Sequence, residues 1–310
     1  WRVQRPTPLN ELPPPEDWEN VDLHERGQSL LVVHKGSPLV RVVPPEKGAP
    51  GRDVLGHEIP ARGRPAPPIR AGKNVKLEEG GLLLVATADG HLLVKRDTAD
   101  VEPVIDFANV DFKTRNVHFP GVVRVRGEVL DGFIVEGARG VFVGGIVGSA
   151  RVVSTDGDVE VRGGLSGHEH GPAHITAAHH VKVGYANHAE IEAGGDVILT
   201  KEALNCTLQA TGRIVVRNRI VGGTATADQS VEAGMIGSAS GVRTVVVVAP
   251  NNWVDAELAL GVVHVRQRLF ARTVVRFGPH VHHFEDDVSG PVDVVFDAER
   301  GEIRWVPRRP

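Results

Sequence analysis

The chain has one cysteine, one methionine and one tyrosine in 310 residues. With Cys206 alone, no internal disulfide can form, which suits a cytoplasmic setting. Aromatic residues are only 5% of the chain, and sugar-binding grooves normally lean on aromatic platforms. Neither charge dominates: 35 basic residues face 39 acidic ones, for a net charge of −4. That balance offers no electrostatic case for nucleic acid, which shows itself as a basic patch or a high pI. No uninterrupted apolar run approaches the roughly 18 residues of a membrane-spanning helix, so no membrane insertion is expected. The opening, "WRVQRPTPLNELPPPEDW", lacks the apolar segment of a signal peptide. It starts on Trp1 rather than methionine, which reads as a trimmed start and leaves an earlier signal open.

Glycine and proline are plentiful, at 36 and 21, and the apolar residues are mostly Val, Ile, Leu and Ala. Valine's branched side chain fits a pleated, half-buried surface, so the chain reads as mainly β with many turns. Residues 1–20 are Pro-rich and polar, an arm or linker. Residues 21–108 carry short strand patterns between long turns, a small β-rich N-terminal domain. Within it, Ala88-Asp89-Gly90-His91 reads as a tight hairpin between Leu82–Ala86 and Leu92–Lys95.

From about Val110 a repeat takes over. A first apolar column runs Val117, Ile134, Val152, Ile175, Ile191, Leu208, Ala225, with steps of 17, 18, 23, 16, 17 and 17. A second column follows: Val123, Val141, Val159, Val181, Val197, Ile214, Val231. A third lies two residues on: Val125, Val143, Val161, Val183, Leu199, Val216, Ala233. Period-2 spacing puts the second and third columns on one inward face. A shorter strand supplies Val129, Ile146, Leu165, Tyr185, Ala203, Ile220, Ile236. About seven units of three strands, with glycine at corners where positive φ is tolerated, make a parallel β-helix over 109–248. Rungs about 4.8 Å apart give a stack of roughly 30 Å. Parallel connections are almost always right-handed, so a right-handed coil is expected. The one long step is "GGLSGHEHGPAH" (Gly163–His174), a corner insertion.

Residues 249–310 break the period and read as a C-terminal cap. Leu258, Val262, Val265 and Leu269 predict a short amphipathic helix over about Asp255–Leu269. Thr273–Phe277, Val292–Phe296 and Glu302–Val306 read as strands. A capped end avoids exposing unpaired strand edges.

The string "VDFKTRNVHFPGVVRVRGEVLDGFIVEGARGVFVGGIVGSARVVSTDGDVEVRGGLSG" (Val110–Gly167) resembles the start of the β-solenoid in the flagellar assembly protein A family. "KGSPLVRVVPPEKGAPGRDVLGHEIPARG" (Lys35–Gly63) resembles that family's N-terminal domain. "IVGGTATADQSVEAGMIGSASGVRTVVVV" (Ile220–Val248) resembles its last rungs, and "GEIRWVP" its terminal strand. The resemblance covers nearly the whole chain. It departs at Arg115, where the family usually has glycine, and in having only about Asp255–Leu269 where the family commonly inserts a long helical hairpin. The solenoid phrase is also similar to the C-terminal domain of the septum-site inhibitor MinC. The resemblance implies a cytoplasmic, non-enzymatic scaffold for an unspecified protein partner, linked to flagellar assembly or cell-pole organisation. It brings no catalytic residues and no cofactor. Two alternatives stand beside it: a self-associating, polymerising β-solenoid, and a carbohydrate-active β-helix enzyme.

Histidine, at 15, is the unusual chemistry. His168, His170 and His174 in "GHEHGPAH" are candidate metal ligands, since imidazole beside carboxylate suits zinc or nickel. No recognised zinc spacing is present, so a solvated polar loop is preferred. "GPHVHHFEDD" (Gly278–Asp287) receives the same weighing and reads as an exposed turn. His180 aligns with Asp158 before it and Asp196 after it, which predicts an outward Asp–His–Asp ladder with a charged imidazole. Cys206 reads as a small buried hydrophobe rather than a nucleophile. "GGTATADQS" lacks the Gly-Lys-Ser/Thr and following helix of a phosphate loop, so it is a corner. No Asp/Glu pair is singled out for glycosidase chemistry.

Overall fold

The computed structural model describes residues 30–41, 49–60, 70–95, 98–249 and 261–308. The expected 1–20 arm lies outside them. The described residues are nearly all strand or turn, and one short 3-10 turn at Glu79–Gly81 is their only helical element. The chain divides into two compact units, with the first ending at Ile105 and the second continuing from Asp106.

In the first unit, Val32–Val33, Gly90–Val94, Thr98–Glu102 and Arg70–Ala71 form one sheet. Pro38–Arg41, Leu83–Ala86 and Val75–Glu78 form another. Leu39, Leu84, Leu92 and Val101 pack in a common core, each at most 3% exposed. The expected hairpin does not form. Leu83–Ala86 pairs with Pro38–Arg41 and Val75–Glu78, while Gly90–Val94 pairs with Val32–Val33 and Thr98–Glu102. Gly90 is itself the first strand residue, not a turn residue, and a Cβ there would lie 2.5 Å from the Glu102 carbonyl.

The second unit is the parallel β-solenoid. Its second face follows the sequence pattern through all seven units. Val123, Val141, Val159, Val181, Val197, Ile214 and Val231 stack in register, and Val125, Val143, Val161, Val183, Leu199, Val216 and Ala233 stack beside them. These positions are at most 2% exposed. Each buried valine is worth about 1.5–3 kcal/mol of apolar burial, obtained only when the next rung covers it.

The other two faces differ from the sequence expectation by one residue at three positions. On the first face Val135, not Ile134, stacks between Val117 and Val152. Phe133 and Val135 both point inward, at 1% and 0% exposure. Ile134 therefore turns outward, where its amide donates to Asn116 Oδ1 at 2.9 Å. On the third face Val147 and Ala186 replace Ile146 and Tyr185 in the inward column. Tyr185 lies against Gly164, whose missing Cβ would sit 2.4 Å from the ring. Tyrosine's bulk and hydroxyl suit that half-exposed position, while alanine fits the core.

An eighth rung follows the seven. Thr244–Val248 continues the first face, and Val262–Leu269 the second and third. The expected helix is thus corrected over Val262–Leu269, which is a strand; residues 250–260 lie outside the described part. Val263, Val265 and Leu269 are the buried residues, in line with Val231, Ala233 and Ile236. Their covered column outweighs a helical spacing that would leave the eighth rung unpaired.

Glycine at the corners has two separate causes. Gly222 and Gly223 take φ of +71° and +77°, the left-handed region open to glycine. The stacked glycines 127, 145, 163 and 184 do not take positive φ. They are needed because the backbones approach closely: a Cβ on Gly163 would lie 2.3 Å from the Gly145 carbonyl, and one on Gly184 2.0 Å from that of Gly163. Arg115 takes φ +66°, a conformational reason for the glycine preference noted there.

The C-terminal end is closed by antiparallel strands. His280–His283 folds back on Thr273–Phe277. Val292–Asp297 lies antiparallel on Val262–Leu269, and Glu302–Pro307 on Val292–Asp297. No helix among the described residues is long and apolar enough to cross a membrane.

Candidate functional site

Outward positions of the solenoid form columns one rung apart. The second face carries the longest: Arg124, Phe142, Glu160, Lys182, Ile198, Val215, Glu232 and His264 in successive rungs, ending on Asp293 of the cap. Charges along it pair where they meet. His264 Nδ1 lies 2.7 Å from Asp293 Oδ1, and Lys182 Nζ lies 4.0 Å from Glu160 Oε1.

At the corner after this face, Arg126, Gly144 and Arg162 occupy equivalent places in three successive rungs, each amide donating to the rung before. The glycine puts no side chain between the two arginines, and its backbone lies close against Arg126. Beside it Phe142 stands outward, 37% exposed. The result is an open bay of about 540 Å3 lined by these residues together with Arg124, Glu160 and Asp106. Arg162 Nε lies 3.6 Å from Glu160 Oε1. Arg124 and Arg126 are exposed and form no ion pair among the described residues.

A second, smaller groove of about 400 Å3 lies along the first face, beside Thr176, Glu192, Gln209 and Thr226. There the neighbouring inward column is small, running Ser154, Ala177, Ala193, Ala210, Ala227.

The Asp158–His180–Asp196 alignment is real, but its bonding is not side chain to side chain. The His180 amide donates to Asp158 Oδ1 at 2.9 Å, and the Asp196 amide donates to His180 Nδ1 at 2.9 Å. The ring therefore meets the backbone of the next rung rather than its carboxylate, which corrects the expected side-chain ladder. The column continues to Arg213, whose amide and Nη2 both donate to Asp196 at 2.8 Å. Arg213 holds the Asp196 carboxyl below the usual carboxylate range. Corner residues Asn109, Asn116 and Asp131 make the same contact, each accepting an amide from the next rung. Sequence reading passed over these clips; their signal is an Asn or Asp one rung before an apolar strand.

The three candidate metal ligands do not converge. His168 Nε2 lies 3.7 Å from Asp131 Oδ2, and His174 Nδ1 lies 3.1 Å from Glu190 Oε2. His170 is exposed in the inserted corner, where His168 and Gly171 exchange two backbone hydrogen bonds. Among the described residues no group of three or more His, Cys, Asp or Glu could hold a metal ion. The Gly278–Asp287 segment is more than an exposed turn: His280–His283 is a cap strand, with His280 stacked on Phe296 and His282 against Phe284 and Trp305. Cys206 is 3% exposed, and burial pushes its thiol up to about 11. A thiol so placed is no nucleophile at neutral pH. "GGTATADQS" is a corner followed by strand, with no helix to receive phosphate.

These features define a β-solenoid with an antiparallel cap and a separate β-rich N-terminal unit. The sequence family described as Flagellar Assembly Protein A beta solenoid domain matches residues 103–260, and that of the Flagellar Assembly Protein A N-terminal region matches residues 4–97. The chain belongs to the flagellar assembly protein A family. Neither a curated protein nor a solved structure matches it.

Proposed function

We propose that the chain is a non-enzymatic, cytoplasmic scaffold that holds a protein partner on the outer faces of its solenoid during flagellar assembly or cell-pole organisation. The observation that carries this reading is the closed C-terminal end. Antiparallel Val292–Asp297 covers Val262–Leu269 and is itself covered by Glu302–Pro307, so the last rung offers no bare parallel edge for another stack. What remains for contact is the side: rigid columns of polar and charged residues at a fixed spacing. Family membership links such a scaffold to flagellar assembly.

The test is sedimentation velocity of the full chain, followed by its use as bait in extract of the source cells. A discrete species that retains a flagellar, polar or signalling protein supports the scaffold. Long polymers that retain nothing would transfer the reading to a self-assembling filament. Turnover of a polysaccharide would transfer it to an enzyme.

A further inference from the structure

We infer that the bay around Phe142 binds an acidic peptide segment carrying one large apolar side chain. This rests on the scaffold reading and names the chemistry of the partner. Phe142 is the outward residue of its rung, so its 37% exposure serves no packing need of the core. Gly144, between Arg126 and Arg162, adds no side chain to the bay that opens beside the ring. A Cβ there would lie 2.3 Å from the Arg126 carbonyl, so the close approach of the two backbones keeps this position a glycine.

The cations give the occupant its charge. Phe142 stacks in register between Arg124 in the rung before it and Glu160 in the rung after it. Arg126 is one corner residue away. Neither arginine has a carboxylate partner among the described residues, whereas Glu160 is already near Arg162 and Lys182. A guanidinium presents a planar fork that takes a carboxylate in two hydrogen bonds. Two such forks beside an aromatic face match an apolar residue flanked by Asp or Glu. Asp106 and Glu160 also line the bay, where each can accept a peptide N–H. Their charge and the chain's net charge of −4 weigh most against a continuous phosphate backbone, and less against a short peptide whose few carboxylates can be placed on Arg124 and Arg126. An acidic peptide therefore fits better than a single-stranded nucleic acid.

The experiment uses the full chain and a fluorescein-labelled peptide, Asp-Glu-Phe-Asp-Glu, capped at its C-terminus and read by anisotropy. Controls are the same peptide with Ala for Phe, its Lys-for-acid counterpart, and a labelled oligothymidylate. The acidic Phe peptide is expected to bind most tightly, and replacing its Phe is expected to weaken binding about tenfold or more. Phe142→Ala should cost a similar factor. Arg124→Glu with Arg126→Glu should abolish binding of the acidic peptide and favour the Lys counterpart. Binding should also weaken as salt shortens the Debye length toward about 3 Å. Arg124 and Arg126 are exposed, so the double variant should keep the wild-type melting curve, while Phe142, 37% exposed, is partly covered, and Phe142→Ala is scored for binding at a temperature where its own melting curve shows it folded. Equal binding of acidic and basic peptides, tighter binding of oligothymidylate, or binding indifferent to both variants would overturn the inference. If a cellular partner is retained by wild type and by the folded double variant alike, the scaffold stands and this bay is not its site.

Discussion

Gly163→Ala isolates the reason for the stacked corner glycines. The new Cβ would lie 2.3 Å from the Gly145 carbonyl oxygen, against a floor of about 3.0 Å for real Cβ contacts, a shortfall of 0.7 Å. Both atoms belong to backbone, so no side-chain rotation can relieve the clash. The rungs must part locally, and the bond from the Gly163 amide to Gly145 O, now 3.1 Å, must lengthen. Overpacking of this kind costs about 1–3 kcal/mol, and loss of one backbone hydrogen bond adds about 1 kcal/mol. The expected loss is therefore about 2–4 kcal/mol, read as a lower urea midpoint in far-UV circular dichroism. Amide exchange of Gly163 should quicken with it. Gly171→Ala is the control: its nearest neighbour is Ser149 Oγ at 3.4 Å, so its midpoint should barely move. An asparagine at 163 separates sterics from φ. Were positive φ the requirement, Asn would be tolerated; since close approach is, Asn should cost at least as much as Ala. A Gly163→Ala chain as stable as wild type would refute the close-approach account.

Two further outcomes follow from the clips and the buried thiol. Asp196→Asn should cost about 1–2 kcal/mol at neutral pH, because it removes the charge-assisted bond from Arg213. The folded-state pKa of Asp196 lies below its ordinary 3.8, so its stabilisation is fully present above that value and is lost as pH falls through the lower one. The gap between wild type and variant in urea midpoint should accordingly narrow below about pH 4. A gap that widens in acid would contradict the Arg213 contact. Cys206, with its thiol raised to about 11 by burial, should resist a maleimide in the native chain and react on unfolding. Rapid native labelling would show that the rung opens at that corner.

Legibility in the sequence followed the number of constraints on each strand. On the second face, apolar and polar residues alternate in several units, as in Val123-Arg124-Val125 and Val181-Lys182-Val183, so one register alone buries the apolar pair there, and stacking carries it into apolar runs such as Val197-Ile198-Leu199. On the first and third faces, runs such as Phe133-Ile134-Val135 and Ile146-Val147 allow two registers by hydrophobicity. Tertiary contacts decide between them: the Asn116 clip on Ile134, and the Gly164 recess for Tyr185. The eighth rung was hidden for another reason. Residues 250–260 intervene between its first and second strands and break the step of 17, and Leu258, Val262, Val265 and Leu269 happen to repeat at helical spacing. The resemblance at Ile220–Val248 ended one strand short of the second half of that rung.

The candidate site was harder to read because its residues are near neighbours only across rungs. Arg124, Phe142 and Glu160 are each 18 apart in sequence, as are Arg126, Gly144 and Arg162. A search through local windows finds His-x-His in the inserted corner and passes over these. Yet the period that located the core applies unchanged to outward positions, because each rung carries both. Reading the same steps one residue off the buried columns puts Phe142 between Arg124 and Glu160 and a glycine between two arginines. The inward columns tolerate only residues that fill the stack, so they report the fold. The outward ones are released from that demand, and a partly exposed aromatic beside cations without a carboxylate partner serves no purpose in the core. In a solenoid, that contrast between columns is where function separates from architecture.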